Sequence, residues 1–365
     1  MFMNREQVFN FSAGPSVMPE EVLLKAQADL MNYQGSGMSV MEMSHRSAQY
    51  AAIFDETKAR FKELFCVPDT HEVLFLQGGA STQFSMVPLN LLPESGSADY
   101  AVTGHFSASA MKEARKNGAV RVAADTTEAK HTFIPAQSAL SLDPDAAYFH
   151  YCANNTIYGT EWQYVPETGS VPLVCDMSSD ILSRPVDVSK YGLIYAGAQK
   201  NMAPAGLTVV IIRRDLAGHE RSNTPLMLSY QRMIDKDSMF NTPPCWCIYM
   251  LGLMLQWLET QGGVAGMEQI KRERAAKLYA FLDNSALFTA NAQPGSRSDM
   301  NVTFRTASPA LDAECVSGAA KVGLLNIKGH RVAGGMRASL YNAMPMAGVD
   351  ALIDYLKEFE VSHHE

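Results

Sequence analysis

The sequence predicts an α/β protein: a large domain built on a mostly parallel sheet, followed by a smaller C-terminal α+β domain. Two observations carry this. Short apolar runs rich in β-branched residues, such as 171–175 and 207–213, alternate along the chain with helical stretches, the pattern of a parallel sheet with right-handed crossovers. These runs are bounded by turn residues, as suits strands covered on both faces. After Gly262-Gly263 the order changes to a charged helix, several strands and a closing helix, which marks a second unit. The large domain is placed at 16–262, and the small one at 263–365 together with 1–15.

Taken in order, NFSAGPS (10–16) is a turn-rich opening. Pro19 starts a helix carrying Glu20 and Glu21 in its first turn, where the helix dipole favours carboxylates, and this helix should end near Tyr33. His45 and Arg46 precede a helix reaching Leu64. A strand at 73–76 leads through Gln77-Gly78-Gly79-Ala80-Ser81-Thr82 into a helix to about Leu92, in which Pro88 implies a kink or an early end. Strand 99–103 feeds a helix ending at Gly118, with Phe106 at the junction. Strands follow at 120–124 and 148–152, the latter opening onto Ala153-Asn154-Asn155-Thr156-Ile157-Tyr158-Gly159-Thr160. Two more strands, 171–175 and 192–196, precede the last strand of the large sheet at 207–213. The stretch 217–245 reads as a long loop, and loops of that length inside a domain usually have a function. Helix 245–260 is apolar nearly all round, as a buried helix would be. The small domain should hold a charged helix at 270–283, strands near 300–305, 323–326 and 336–341, and a closing helix at about 349–360.

Length and composition narrow the function. A chain of 365 residues with 47% hydrophobic and 19% charged residues is ordinary for a soluble enzyme. A net charge of −8 argues against bulk attraction to nucleic acid or an anionic membrane, so an anionic substrate needs a locally positive pocket. The six cysteines form no CxxC pair, and Cys152 and Cys175 lie in apolar runs; reduced thiols in a cytoplasmic protein are expected, with no metal site. MFMNREQVFNF has no apolar core of a signal peptide, and no run is long enough to span a membrane. The last four residues, Ser362-His363-His364-Glu365, are expected to fray.

The chemistry gathers at two strand ends. Asp176 closes one strand and Lys200 follows the next, in the small-residue turn Ala196-Gly197-Ala198-Gln199. Ligands in open α/β sheets bind outside the carboxyl ends of the strands, so both side chains should meet over one crevice. An amine and a carboxylate held there match pyridoxal phosphate, whose aldehyde needs the amine and whose ring nitrogen needs the acid. Taken singly, such a lysine and aspartate are ordinary surface residues. The turn Gly78-Gly79-Ala80-Ser81 adds an anion site, because a strand followed by small residues and a helix start presents free N–H groups to a phosphate.

DMSSDILSRPVDVSKYGLIYAGAQKN resembles the cofactor-lysine segment of the phosphoserine aminotransferases, in the class V branch of the fold-type-I pyridoxal phosphate enzymes. The likeness extends over nearly the whole chain and includes SHRS, GGAST, NNTIYGT and GHRVAGGMRASLYNAMP. It implies transfer of the amino group between L-glutamate and 3-phosphohydroxypyruvate, and in some bacteria 4-phosphohydroxythreonine as well. Lys200 and Asp176 are the implied catalytic pair. Ala80, Ser81, Phe106, Thr156, Gln199, Asn241 and Thr242 are the implied cofactor contacts, with Asn154 kept as a further candidate. His45, Arg46, His330, Arg331 and Arg337 are the implied substrate-binding residues, suited to a phosphate dianion and carboxylates. Phe106 stands where the family often has tryptophan, and Ser81 where some members have arginine. The resemblance further implies a homodimer with shared active sites, in which Asn241 and Thr242 reach the cofactor phosphate of the neighbouring subunit.

The rival readings are another class V pyridoxal enzyme and a catalytically silent scaffold that binds a phosphorylated metabolite. A cysteine desulfurase would need a nucleophilic cysteine in a mobile loop, and none of the six sits in a convincing one. The scaffold would need neither Lys200 nor Asp176.

Overall fold

The structure, a computed structural model, describes residues 4–363. Its first elements are β1 (Phe9–Asn10), α1 (Glu20–Asp29) and α2 (Ala48–Leu64). The side chain of Ser47 caps α2 by accepting the Tyr50 N–H at 3.2 Å, and Tyr50, Ile53, Phe54, Thr57 and Phe61 form its buried stripe at helical spacing. Then come β2 (His71–Leu76), α3 (Gly79–Leu91), β3 (Ser97–Val102), α4 (His105–Ala114) and β4 (Ala119–Asp125). The site loop follows β5 (Phe149–Cys152) and contains a small hairpin of β6 (Asn154–Asn155) and β7 (Thr160–Glu161). Next are β8 (Leu173–Asp176), β9 (Leu193–Gly197) and β10 (Thr208–Arg213).

Seven of these strands form one sheet in the order β2-β10-β9-β8-β5-β3-β4. Strands β9, β8, β5, β3 and β4 run parallel, so their carboxyl ends open onto one side of the molecule. Strand β10 is antiparallel to both its neighbours, β2 and β9. Alternation along the strands supplies two apolar faces. Val174, Leu193, Tyr195 and Val210 pack with Phe84 of α3 and Met111 of α4, while Cys175, Ile194, Ala196 and Ile211 face α6 (Cys245–Thr260) and its neighbours. The short α5 (Tyr230–Asp235) precedes α6.

The chain continues into α7 (Gly263–Asn284), β11 (Thr289–Ala290), β12 (Asn301–Arg305), α8 (Pro309–Lys321), β13 (Leu324–Leu325), β14 (Met336–Ser339) and α9 (Met346–Ser362). Strands β11, β12 and β14 form an antiparallel sheet, whereas β13 pairs in parallel with β1. A separate apolar cluster joins Phe11 to residues between Ala275 and Phe359. No helix among the described residues is long and apolar enough to cross a membrane.

Several expectations need correcting. Helix α1 stops at Asp29, and Tyr33–Gly35 is a separate 3-10 turn. Pro88 does not end α3, which runs on to Leu91 with the Leu92 N–H bonded to the Pro88 carbonyl at 3.1 Å. Proline forfeits one bond there, but only the last turn lies beyond it. Helix α4 gives way at Ala114, four residues before Gly118. The 217–245 stretch contains α5 and a 3-10 turn at Leu226–Leu228. Helix α8 was not foreseen, because its apolar stripe is interrupted by Ala, Ser and Gly; the available signal was Ser308, whose side chain accepts the Leu311 N–H at 3.2 Å, followed by Pro309 in the first turn. The strand near 323–326 belongs with β1 and not with the small sheet. His363 is not frayed: its ring stacks on Phe359 at 4.0 Å between centroids. The expectation for His364 and Glu365 lies outside the described residues.

Candidate active site

The strand ends bring the two central residues together as the register requires. Asp176 is the last residue of β8, and Lys200 follows β9 by three residues. The Lys200 ammonium donates to the Thr156 hydroxyl at 2.8 Å, so the loop after β5 reaches the same point. Thr156 in turn donates to Ser179 Oγ at 3.0 Å, and Asn154 Nδ2 donates to the same oxygen at 2.8 Å. Behind the lysine, the Ser16 hydroxyl donates to the Lys200 carbonyl and the Ser16 N–H to the Gln199 carbonyl at 3.0 Å. The NFSAGPS opening is therefore a brace for the lysine turn. Sequence reasoning treated it only as a turn.

Asp176 is 7% exposed. Its Oδ1 accepts the Ser178 N–H at 2.9 Å, and its Oδ2 accepts the thiol of Cys152 at 3.8 Å. Cys152 stands directly across the β5–β8 ladder from Asp176. Burial pushes the Cys152 thiol far above its usual range, with the Asp176 charge adding to it, so this sulfur stays protonated and acts as a weak donor. Burial also pushes the Lys200 ammonium down to about 8; Asp176 and Cys152 oppose that shift, and Arg337 adds to it. Part of the Lys200 side chain stays open to the crevice while the ammonium itself is surrounded by protein.

Phe106 lies beside the lysine, with Lys200 Nζ 5.6 Å from its ring centroid. Arg337, on β14, donates from one terminal nitrogen to the Thr156 carbonyl at 3.2 Å, and its Nε is buried without a hydrogen-bond partner. Burial lowers the pKa of this guanidinium. His330 sits one loop earlier; its ring is 6.1 Å from that of His105, the neighbour of Phe106. Burial, Arg337, His105 and Arg331 all lower its pKa. Arg331 is exposed on the same turn.

The expected phosphate cradle forms where β2 meets α3. Gly78 occupies the cap of α3 at φ 94°, a left-handed conformation, and a Cβ there would lie 2.2 Å from Thr82 Oγ1. Only glycine satisfies both demands. Ala80 and Ser81 then fall in the first turn of α3, where N–H groups have no acceptor within the helix. Asn241 Nδ2 donates to Gln77 Oε1 at 2.9 Å, and Gln77 Nε2 donates to the Thr242 carbonyl at 3.2 Å, so these two residues lie beside the cradle of their own chain. Arg46 and His45 lead into α2, and no bond joins their side chains to Lys200, Arg337 or His330 in the single chain. The structure thus joins Lys200, Asp176, Thr156, Phe106, Arg337 and His330, holds Gln199 in the lysine turn through its carbonyl bond to Ser16, places the phosphate cradle at the head of α3, and leaves His45 and Arg46 apart.

The donor set fits pyridoxal phosphate. It offers an amine with one hydrogen-bond partner, a buried carboxylate whose outer oxygen meets only a thiol, an aromatic face beside the amine, and a helix start for an anion.

Comparison with known proteins agrees with that geometry. The family model described as aminotransferase class-V matches residues 8–352. The phosphoserine aminotransferase of Pseudomonas putida is 52% identical over 358 residues, which cover 98% of this chain and 99% of the relative. Among solved structures, phosphoserine aminotransferase from Bacillus circulans subsp. alkalophilus superposes with a TM-score of 0.97 at 45% identity, covering 98% of this chain and all of that one (100%). The pyridoxal-phosphate-bound phosphoserine aminotransferase of Trichomonas vaginalis gives 0.92 at 38% identity, covering 96% and 99% of the two chains.

Proposed function

The chain belongs to the class-V aminotransferase family, and from that membership we propose that it is a pyridoxal-phosphate-dependent transaminase that moves the amino group between L-glutamate and 3-phosphohydroxypyruvate. The products are O-phospho-L-serine and 2-oxoglutarate, the amino-transfer step of serine biosynthesis. The observation that carries the reading is the placement of Lys200 and Asp176 at adjacent strand ends, in a chain 52% identical to a phosphoserine aminotransferase.

Pyridoxal phosphate, when bound, supplies an aldehyde that takes up the amino group and a ring that draws electrons from the substrate's α-carbon. Lys200 is the amine that holds it. The free Lys200 amine would be the base that takes the proton from that carbon, and its lowered pKa suits the task. Asp176 would hold a proton on the ring nitrogen. Phe106 would cover the ring, while Thr156 and Gln199 would bind its polar edge, with Asn154 placing Thr156 through Ser179. Ala80 and Ser81 would take its phosphate. Arg337 is the buried cation for a substrate carboxylate, and His330 with Arg331 meets the substrate phosphate.

His45 and Arg46 are the remaining anion-binding residues. They stand apart from Lys200 in one chain, which a homodimer with shared sites would resolve. In that dimer Asn241 and Thr242 serve the neighbour's cofactor phosphate. The two-unit division at residue 263 belongs to the same proposal and is supported by the separate apolar cluster of Phe11 and residues 275–359. A cytoplasmic location is supported by six free cysteines.

The test is direct. Added pyridoxal phosphate should give a visible absorption band that Lys200→Ala loses. Glutamate should then aminate 3-phosphohydroxypyruvate at least about 10-fold more efficiently than hydroxypyruvate, since charged donors left unpaired cost about 1.5–3 kcal/mol each. Equal kcat/KM for the two acceptors would refute the phosphate assignment, and no band at all would refute the cofactor.

A further inference from the structure

The turn between β3 and α4 carries a second side chain toward the crevice besides Phe106. His105 is the first residue of α4, and its ring meets the Phe106 ring edge-on, with centroids 5.5 Å apart. On its other side stands His330, 6.1 Å away and tilted by 42°. The two imidazoles come from elements more than two hundred residues apart in sequence, β3–α4 and the loop before β14.

Both positions are held by their backbones. Gly104 precedes His105 and packs on Asn155: a Cβ there would lie 2.5 Å from Asn155 Oδ1. The N–H groups of Thr103 and Gly104 both bond the Ser107 hydroxyl, each at 3.1 Å. On the facing loop, His330 Nδ1 accepts the Val332 N–H at 3.3 Å, and the N–H groups of Ala333 and Gly334 bond the His330 carbonyl at 3.0 and 2.9 Å. Because Nδ1 is an acceptor, neutral His330 carries its proton on Nε2, which is left to donate outward. The His105 ring has no hydrogen bond among the described residues. It is exposed, so both of its nitrogens are available.

The surroundings are positive. His330 is flanked by Arg331, Arg337 and His105. His131 lies behind His105, buried against Tyr158 with its Nδ1 on Thr126, and Asp125 is the carboxylate near that ring. Two ring N–H groups at this spacing can each reach an oxygen of one tetrahedral oxyanion, given hydrogen bonds of about 2.8 Å.

We infer that His105 is a specificity-determining residue, which together with His330 grips the phosphate end of the substrate and leaves the carboxylate end to arginine. This rests on the transaminase reading above and extends its phosphate contacts to a residue on the cofactor-facing turn. His105 discriminates by the anion it meets, so its removal weakens only phosphorylated ligands.

The test uses the full-length, cofactor-loaded protein and two variants, His105→Phe and His105→Gln. Phenylalanine keeps the edge contact with Phe106 and deletes both ring nitrogens; glutamine restores one donor. For His105→Phe, KM for 3-phosphohydroxypyruvate should rise about 10-fold with kcat nearly unchanged, whereas kcat/KM for hydroxypyruvate should move by less than about 2-fold. Calorimetric affinity for O-phospho-L-serine should fall in parallel, with no change for L-serine, and His105→Gln should recover part of both losses. If the wild type prefers the phosphorylated acceptor and the variants keep that preference, or lose activity equally on both acceptors, the role of His105 is overturned while the transaminase reading stands. If the wild type itself shows no preference, both fail together.

Discussion

Lys200 shows how one residue's surroundings set its chemistry. Its ammonium is enclosed and finds one hydroxyl partner, so the charged form loses hydration that Asp176 only partly replaces. The sign of the consequence follows from linkage. Between about 8 and the ordinary 10.5 the unfolded chain holds more protons than the cofactor-free fold, so stability rises with pH across that window. Below it, the buried cation costs stability. In cofactor-free protein with isotope-labelled lysine, the Lys200 amine should therefore titrate by NMR with a midpoint near 8. Replacement by methionine should remove the alkaline gain in stability. A midpoint at the ordinary lysine value would show that the amine is not enclosed. Legibility at this scale was uneven. Lys200 and Asp176 could be read because Asp176 ends one strand and Lys200 follows the next in a small-residue turn, whereas Cys152 and Ser16 act through contacts across the ladder and across 184 positions of sequence, which no local pattern encodes.

Among the elements, the joint between α7, β7 and the turn leading into β12 is unusual for its buried charge. Lys271 of α7 lies 3.2 Å from Glu161 and 3.8 Å from Asp299, while Arg184 lies 3.3 Å from Asp180 and 3.9 Å from Glu161. Three carboxylates thus share two cations. Burial, followed by the charge of Glu161, pushes the Asp299 carboxyl up to about 6, against the pull of Lys271. An acid whose folded pKa is raised supports the fold while protonated and loses that contribution as pH rises through the folded value. Asp299→Asn should accordingly gain stability relative to wild type by about 2 kcal/mol between pH 4 and pH 7, as read from denaturant midpoints at each pH. A flat difference across that range would mean that Asp299 is ionised throughout. The elements of this joint were only partly legible: the charged helix was expected, but it begins at Gly263, and the β6–β7 hairpin was read as a turn. Two-residue strands leave no alternation to detect.

For the whole molecule, a net charge of −8 coexists with a crevice ringed by Lys200, Arg337, Arg331, His330 and His105. That contrast is the local pocket an anionic substrate requires. The chain also exposes Met41, four residues before His45, and Phe240, the neighbour of Asn241. Exposed apolar side chains beside those residues suit a two-fold contact. A complementation experiment follows from the shared-site dimer. Mixing inactive Lys200→Ala chains with inactive chains altered at Asn241 and Thr242 puts both lesions into one site of the heterodimer and leaves the other intact. Activity should return to about a quarter of wild type under random pairing. Proven subunit exchange with no recovery would exclude the shared site.

By itself the sequence determined the layer architecture, the strand ends that carry Asp176 and Lys200, and the glycine turn at the head of α3. Each is written in local periodicity and in residues whose backbone demands are specific. Only the tertiary structure decided that β10 runs against its neighbours, that β13 pairs with β1, that the opening NFSAGPS segment braces the lysine turn, and that His105 faces His330. These depend on which distant segments can pack and bond together, and that choice is made by burial and hydrogen-bond satisfaction over the whole chain, beyond the reach of any single stretch.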